Sequence, residues 1–365
     1  MKFVISGYYG FENSGDDALL LTIIRQIKTD YPDAEITVLS KSPKKTKSFY
    51  GVNSVNRYNP FALLWQISRC DLFISGGGTL IQDETSTKSL FYYLTLIRVA
   101  LFFKKKVMLY ANGIGPLTSF KNIEKTKNIL NRVDLITLRD SKSLSELEHI
   151  GVDKPRTELT ADPVFLLEAD GSADKIFETY NIPADKKIMC VSVREWKGNP
   201  ADFVNVMADF CDYASEKYDI YTVLLSMQAG RDYEISRKIK NKMRNPATVV
   251  SGKYPFETLL SFMGEMYLCV GMRLHSIIYS AKNSVPSIGI VYDPKVRNFL
   301  DYIGEKRFID ISGINSYKLC KMLDETCEQY DEIKSRLKFE MRNMCKKAEN
   351  NGKLMKELLG RGFAE

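Results

Sequence analysis

Read from the N-terminus, the chain alternates short apolar runs with stretches in which apolar residues recur every three or four positions. Lys2–Ser6 reads as a strand running into Gly7, and helical spacing takes over from Asp16 through Leu19, Leu20, Ile23, Ile24 and Ile27. The switch of period from that of a strand to that of a helix is the primary secondary-structure signal. It recurs with strands at Glu35–Leu39, Asp71–Ser75, Val107–Ala111 and Leu135–Leu138, and with helices at Phe61–Ile67, Ser89–Phe103, Ile123–Leu130 and Ser141–His149. The rhythm weakens after Leu166, and residues 171–185 read as a linker. It resumes with strands at Lys187–Val193, Ile220–Ser226, Thr248–Val250, Met266–Val270 and Ser287–Val291, and with helices at Phe203–Lys217, Tyr233–Met243, Phe256–Met263 and Arg273–Ala281. From Tyr317 the chain is charged and helical.

Strands alternating with helices predict parallel sheets covered on both faces, an α/β protein. The 365 residues suit two domains. Two Rossmann-like domains are expected at 1–170 and 186–314, facing a cleft, with helices of 315–365 packing back across them. In such folds ligands bind beyond the carboxyl ends of the strands, so the residues just after each strand carry the functional question.

Composition narrows that question. Hydrophobic residues at 44% and charged residues at 27% describe an ordinary globular chain. Fifty-two basic against forty-five acidic residues leave +7, an excess that reads as scattered rather than concentrated on one nucleic-acid-binding face. A small anionic ligand or a membrane surface is the better-suited beneficiary. Seven cysteines without CxxC spacing suit a reduced, cytoplasmic chain, and two histidines argue against a His-built metal site. MKFVISGYYG is too quickly interrupted by glycine for a signal peptide. The apolar run Leu90–Phe103 contains Arg98 and is too short to span a bilayer. It reads as a buried helix or, with Lys104, Lys105 and Lys106 behind it, as an interfacial one at the inner face of the plasma membrane.

Several strand-end turns carry candidate chemistry. Gly7-Tyr8-Tyr9-Gly10-Phe11-Glu12-Asn13-Ser14-Gly15-Asp16-Asp17 is not a dinucleotide fingerprint, because it places acids where pyrophosphate would need bare backbone. Asp16 or Asp17 caps the helix on one reading; on the other, Asn13 and an aspartate line the cleft to bind sugar hydroxyls or act as a base. Gly76, Gly77 and Gly78 follow the next apolar strand, either for tight packing or to expose amides to an anion, with Gln82 and Asp83 one turn on. Asn112-Gly113-Ile114-Gly115 ends another strand. Arg139, in Leu138-Arg139-Asp140, either pairs with an acid or grips a carboxylate or phosphate. In Gly271-Met272-Arg273-Leu274-His275 a strand opens into a helix, placing Arg273 and His275 at a positive helix end. Val291-Tyr292-Asp293-Pro294-Lys295 brings Lys295 towards the same face. Arg139, Arg273 and Lys295 around His275 would make an anion-binding catalytic site with no metal.

GYYGFENSGDDALL, SGGGTLIQD, NGIGPL, LRD, ADP, GMRLH and YDPKV, in this order, resemble the polysaccharide pyruvyl transferase family from residue 3 to about residue 300. The resemblance implies a GT-B-like architecture and phosphoenolpyruvate as donor, with no cofactor and no metal. It makes His275 the catalytic residue and Arg139, Arg273, Lys295 and Gly271 the donor site. One departure is Glu12, where many members have glycine. The implied acceptor is a sugar of a cell-surface glycan, carried on lipid, on which pyruvate closes a cyclic ketal. Two alternatives stand beside it: a nucleotide-sugar glycosyltransferase of the same architecture, and a non-catalytic binder of glycan or lipid phosphate. Acceptor identity and oligomeric state are not readable from the residues.

Overall fold

The computed structural model describes residues 1–360 other than Glu12, Thr85 and Ala229, and of Arg231 the backbone alone. The chain divides into two compact units, Met1–Leu166 with Met344–Glu365, and Leu167–Asn343. The first runs β1 (Lys2–Ser6), α1 (Ser14–Asp30), β2 (Glu35–Ser40), α2 (Pro43–Tyr50), β3 (Asn53–Asn56), α3 (Pro60–Arg69), β4 (Leu72–Ser75), β5 (Gly78–Ile81), α4 (Thr87–Phe102), β6 (Lys106–Ile114), α5 (Phe120–Leu130), β7 (Leu135–Leu138), α6 (Ser141–His149) and β8 (Arg156–Leu159). Its strands lie in the order β3-β2-β1-β4-β6-β7-β8 with β5 paired to β6, and every pairing is parallel.

The second unit runs α7 (Asp174–Tyr180), β9 (Lys187–Ser192), α8 (Phe203–Tyr218), β10 (Ile220–Leu225), α9 (Arg231–Lys240), β11 (Ala247–Val250), α10 (Phe256–Gly264), β12 (Leu268–Gly271), α11 (Leu274–Lys282), β13 (Ser287–Val291), α12 (Pro294–Tyr302), β14 (Phe308–Asp310) and α13 (Ser316–Glu328). Its parallel sheet has the order β11-β10-β9-β12-β13-β14. A last helix, α14 (Tyr330–Gly360), starts in the second unit and ends in the first.

The apolar runs became central strands because both faces of each sheet are covered. Val4, Ile5, Phe73, Ile74, Val107 and Leu109 are all nearly inaccessible. Each such side chain contributes roughly 1.5–3 kcal/mol on burial. Among the elements absent from the sequence reading, β3 (NSVN) and β8 (RTEL) are polar edge strands and α2 buries only Thr46, while β5, α12 and β14 were also not anticipated, although α12 buries Val296, Phe299 and Leu300. The stretch 171–185, expected as a linker, holds α7, whose Ile176 is fully buried in the second unit. No helix among the described residues is long and apolar enough to cross a membrane. α4 is a core helix: Leu90, Tyr93, Leu94, Leu96, Ile97 and Ala100 are all buried.

Candidate active site

Strand order reverses between β1 and β4 in the first sheet and between β9 and β12 in the second. These switch points are where doubly wound sheets bind ligands. Ser6 and Ser75, register partners at the ends of β1 and β4, carry buried hydroxyls with no hydrogen-bond partner among the described residues; Ser192 at the end of β9 does the same. Buried polar atoms are nearly always paired, so orphans gathered at strand ends mark places built for something else.

In the first unit Asn13 is the N-cap of α1, its Oδ1 accepting the Gly15 N–H at 3.3 Å while its Nδ2 donates to Asp16. Asp16 and Asp17 fill the first turn, half-buried, where a helix favours negative charge. The triple glycine is explained by close approach. A Cβ on Gly76 would strike the Tyr9 hydroxyl, one on Gly77 would meet Leu19 at 3.2 Å, and one on Gly78, at φ +99°, would meet Asp16 Oδ1 at 3.1 Å. The Gly76 N–H donates to the Ser6 carbonyl at 2.7 Å, so it is not an open anion donor.

Two expected acceptor-side residues are otherwise engaged. Asn112 is fully buried, and its Nδ2 donates to the carbonyls of Ser75, Gly76 and Tyr110 at 2.9, 3.0 and 3.1 Å, strapping β4 to β6. Asp83 accepts from Thr118 N and Oγ1, Ser119 N and Asn122 Nδ2 at 2.7–3.1 Å. Burial pushes its pKa up, but these donors outweigh it and hold the carboxylate below its ordinary value. A carboxylate so held clamps the loop ahead of α5 and is a poor base. Gln82 is half-buried just after β5.

Arg139 pairs with an acid. Its guanidinium is buried within the first unit, donating to Asp162 Oδ2 at 3.1 Å and Thr79 Oγ1 at 3.0 Å. It therefore links the LRD and ADP segments. The first unit also holds Arg57, a buried guanidinium over the rings of Tyr92 (4.3 Å) and Phe11 (5.1 Å), bonded to the Gly7 carbonyl at 3.1 Å.

The second unit gathers a cationic group at its own switch point. Arg273 is the N-cap residue of α11, and His275, half-buried, lies in that helix's first turn with its ring 6.3 Å from that of the buried Tyr279. Arg273 is held by Asp232, a fully buried acid on α9: Nε donates at 3.0 Å, Nη2 donates to the other oxygen, and Nη2 also reaches Gln228 Oε1 at 3.1 Å. Gly271 serves packing, since a Cβ there would strike Ile277. Lys295, in the first turn of α12, pairs with Asp293 at 3.0 Å.

Arg194, two residues past β9, donates to the Tyr292 hydroxyl at 3.1 Å and lies 5.3 Å over Trp196 and 5.1 Å over Tyr292. β12 separates β9 from β13, so this bridge reaches about 10 Å across the end of the strand that carries GMRLH. Arg194, Trp196, Gln228 and Asp232 were missed. Arg194 follows an apolar strand as Arg273 does, and that position was its available signal; Asp232 sits in a helix turn that nothing in the sequence distinguishes. Among the described residues no group of three or more His, Cys, Asp or Glu side chains is placed to hold a metal.

The pattern that defines polysaccharide pyruvyl transferases matches residues 13–294, which take in Asn13, Arg139, Arg194, Asp232, Arg273 and His275 and stop one residue short of Lys295. The chain belongs to the polysaccharide pyruvyl transferase family. Amylovoran biosynthesis protein AmsJ of Erwinia amylovora is a relative, 21% identical, with 92% of this chain and 94% of AmsJ aligned. Solved structures share the architecture of this pyruvyl transferase family member at low identity. HepE of Anabaena with UDP-glucose is 11% identical at a TM-score of 0.64, covering 99% of this chain and all of that one. The UDP-GlcNAc 2-epimerase of Neisseria meningitidis is 10% identical at 0.69, with the same coverage. These likenesses establish the GT-B-like fold, with two Rossmann-like domains.

Proposed function

We propose that this transferase moves pyruvate from phosphoenolpyruvate onto two hydroxyls of one sugar in a lipid-linked precursor of a surface glycan, closing a cyclic ketal and releasing phosphate. The observation that supports it is the gathering of Arg273, His275, Lys295 and Arg194 at adjacent strand ends of the second unit, within a chain of the pyruvyl transferase family.

Phosphoenolpyruvate carries a carboxylate and a phosphate, and guanidinium and ammonium groups preorganised at strand ends favour both, most of all as charge shifts to the leaving phosphate. One sugar hydroxyl adds to C2 while C3 takes a proton and becomes a methyl group. The second hydroxyl then bonds to C2, the C2–O bond to phosphate breaks, and the second hydroxyl's proton leaves with the phosphate. His275 is placed to move these protons, since an imidazole gives and takes a proton near neutral pH. Asp232 holds Arg273 by Nε and Nη2, aiming the rest of the fork. The proposed chemistry calls for no cofactor.

The test is phosphate release from phosphoenolpyruvate over a panel of lipid-linked disaccharides, with products weighed by mass spectrometry. A product heavier by one pyruvate less one water is expected, and His275→Ala should abolish it while melting unchanged. Turnover within twofold of wild type in that variant would remove His275 from the reaction, and thermal protection by UDP but not by phosphoenolpyruvate would favour a nucleotide-sugar transferase.

A further inference from the structure

α3 is apolar on both sides. Its inward residues, Leu63 and Ile67, join the core shared with α4, while Phe61, Leu64 and Trp65 face outward, 83%, 43% and 57% exposed. Tyr58, in the turn ahead of the Asn59 cap, adds a fourth side chain at 64%. The spacing of 61, 64 and 65 places them on one stripe. Single exposed apolar residues are ordinary; four within eight positions of one surface segment mark an interaction site.

The sequence that carries this stripe is poor in acid. No acidic residue occurs between Glu35 and Asp71 or between Glu84 and Glu124, yet these two stretches hold twelve of the fifty-two basic residues. They carry +12 and the remainder of the chain carries −5, so the excess is concentrated in residues 36–70 and 85–123, which hold α3 and α4 together with α2, β6 and the start of α5, the buried Arg57 being one of the twelve. Arg69 lies 3.9 Å over the Trp65 ring. α4, in the same layer, exposes Arg98 and ends in Phe102, 76% exposed, ahead of Lys104. The Lys105 ammonium is close enough to Cys70, at the end of α3, to oppose the upward push of burial on its thiol.

A second copy of this chain would set these cations against one another. An anionic bilayer complements them: aromatic rings settle at the headgroup level, Lys and Arg reach the phosphates, and each cation adds attraction. We propose that the outer face of α3, with the C-terminal end of α4, docks the protein on an anionic lipid bilayer. This stands independently of the catalytic reading.

The test is co-sedimentation of the full chain with vesicles of phosphatidylcholine alone or with phosphatidylglycerol added, at low and high salt, beside the double variant F61S/W65S. Binding should require the anionic lipid, weaken with salt, and fall roughly tenfold or more in the double variant, whose melting should not change because both side chains are exposed. Of two tryptophans, W196F leaves Trp65, whose emission should shift to the blue on vesicles and be quenched by brominated lipid. The proposal is overturned by no binding to anionic vesicles, by equal binding of wild type and F61S/W65S, or by an unshifted Trp65. A two-chain mass in solution that F61S/W65S reduces to one chain would assign the face to a second copy and overturn it as well.

Discussion

At the scale of single residues, the difference between a cation and a usable cation is set by its partners. Arg273 was legible from its place after an apolar strand, but Asp232 was not, because a buried acid becomes visible only when two distant segments fold together. The pair carries a prediction. Asp232→Asn should lower kcat/KM for phosphoenolpyruvate about 10- to 100-fold by loosening Arg273, and Arg273→Lys should not restore it, since an ammonium lacks the fork. Steady-state kinetics with the melting temperature measured alongside checks this; unchanged kinetics would leave Asp232 a purely structural acid. Arg139 argues the other way. Its burial against Asp162, itself 3% exposed, predicts that Arg139→Ala destabilises the first unit by about 3 kcal/mol, because an uncompensated buried carboxylate remains. Asp162→Ala should show a similar loss by thermal unfolding.

At the scale of elements, the loops that end β1, β4 and β5 act together. Their glycines were legible, though the reason for them was not: Gly76 is required by the hydroxyl of Tyr9, a residue sixty-seven positions earlier. The Tyr9 hydroxyl is buried without a partner among the described residues, and burial, with Asp16 and Tyr93 nearby, holds its pKa well above the ordinary phenol value. Tyr9→Phe should therefore leave stability unchanged or slightly raised, and should rescue most of the loss in Gly76→Ala. A double-mutant cycle by urea unfolding measures the coupling, and additive losses would show that the hydroxyl is not what excludes a methyl group. The Asp83 clamp adds a pH dependence. Its pKa is depressed in the folded state, so its stabilisation is full above the ordinary value of 3.8 and is lost as pH falls through the lower folded value. Asp83→Asn should flatten that acid limb of the melting-temperature profile.

At the scale of the whole molecule, the chain returns to finish what it began. Central strands and their helices were legible because each carries a local period, and the edge strands β3 and β8 were not, because half-exposed polar strands have none. The charged helical tail was expected to pack back across the domains, but the side chains that α14 brings to the first unit were not legible. Its last turns complete the first unit: Leu354, Met355 and Leu359 lie in the core with Phe3, Ile5 and Ile74. Asn351, fully buried, accepts from Thr160 at 2.9 Å and donates to the Ala161 carbonyl at 3.2 Å, beside the Asp162 that pairs with Arg139. Lys356 pairs with Asp30 at 2.5 Å and Glu357 with Arg156 at 2.6 Å. Losing this segment strips several fully buried side chains from one core, and truncating even one of them costs about 2–5 kcal/mol, a large part of a typical domain's stability. A chain ending at Asn343 should therefore lose hydrogen-exchange protection in β1 and β4 while β9 and β12 keep theirs, and Met355→Asp should do the same in the full chain. Protection unchanged in β1 would mean that the first unit folds without its returning helix.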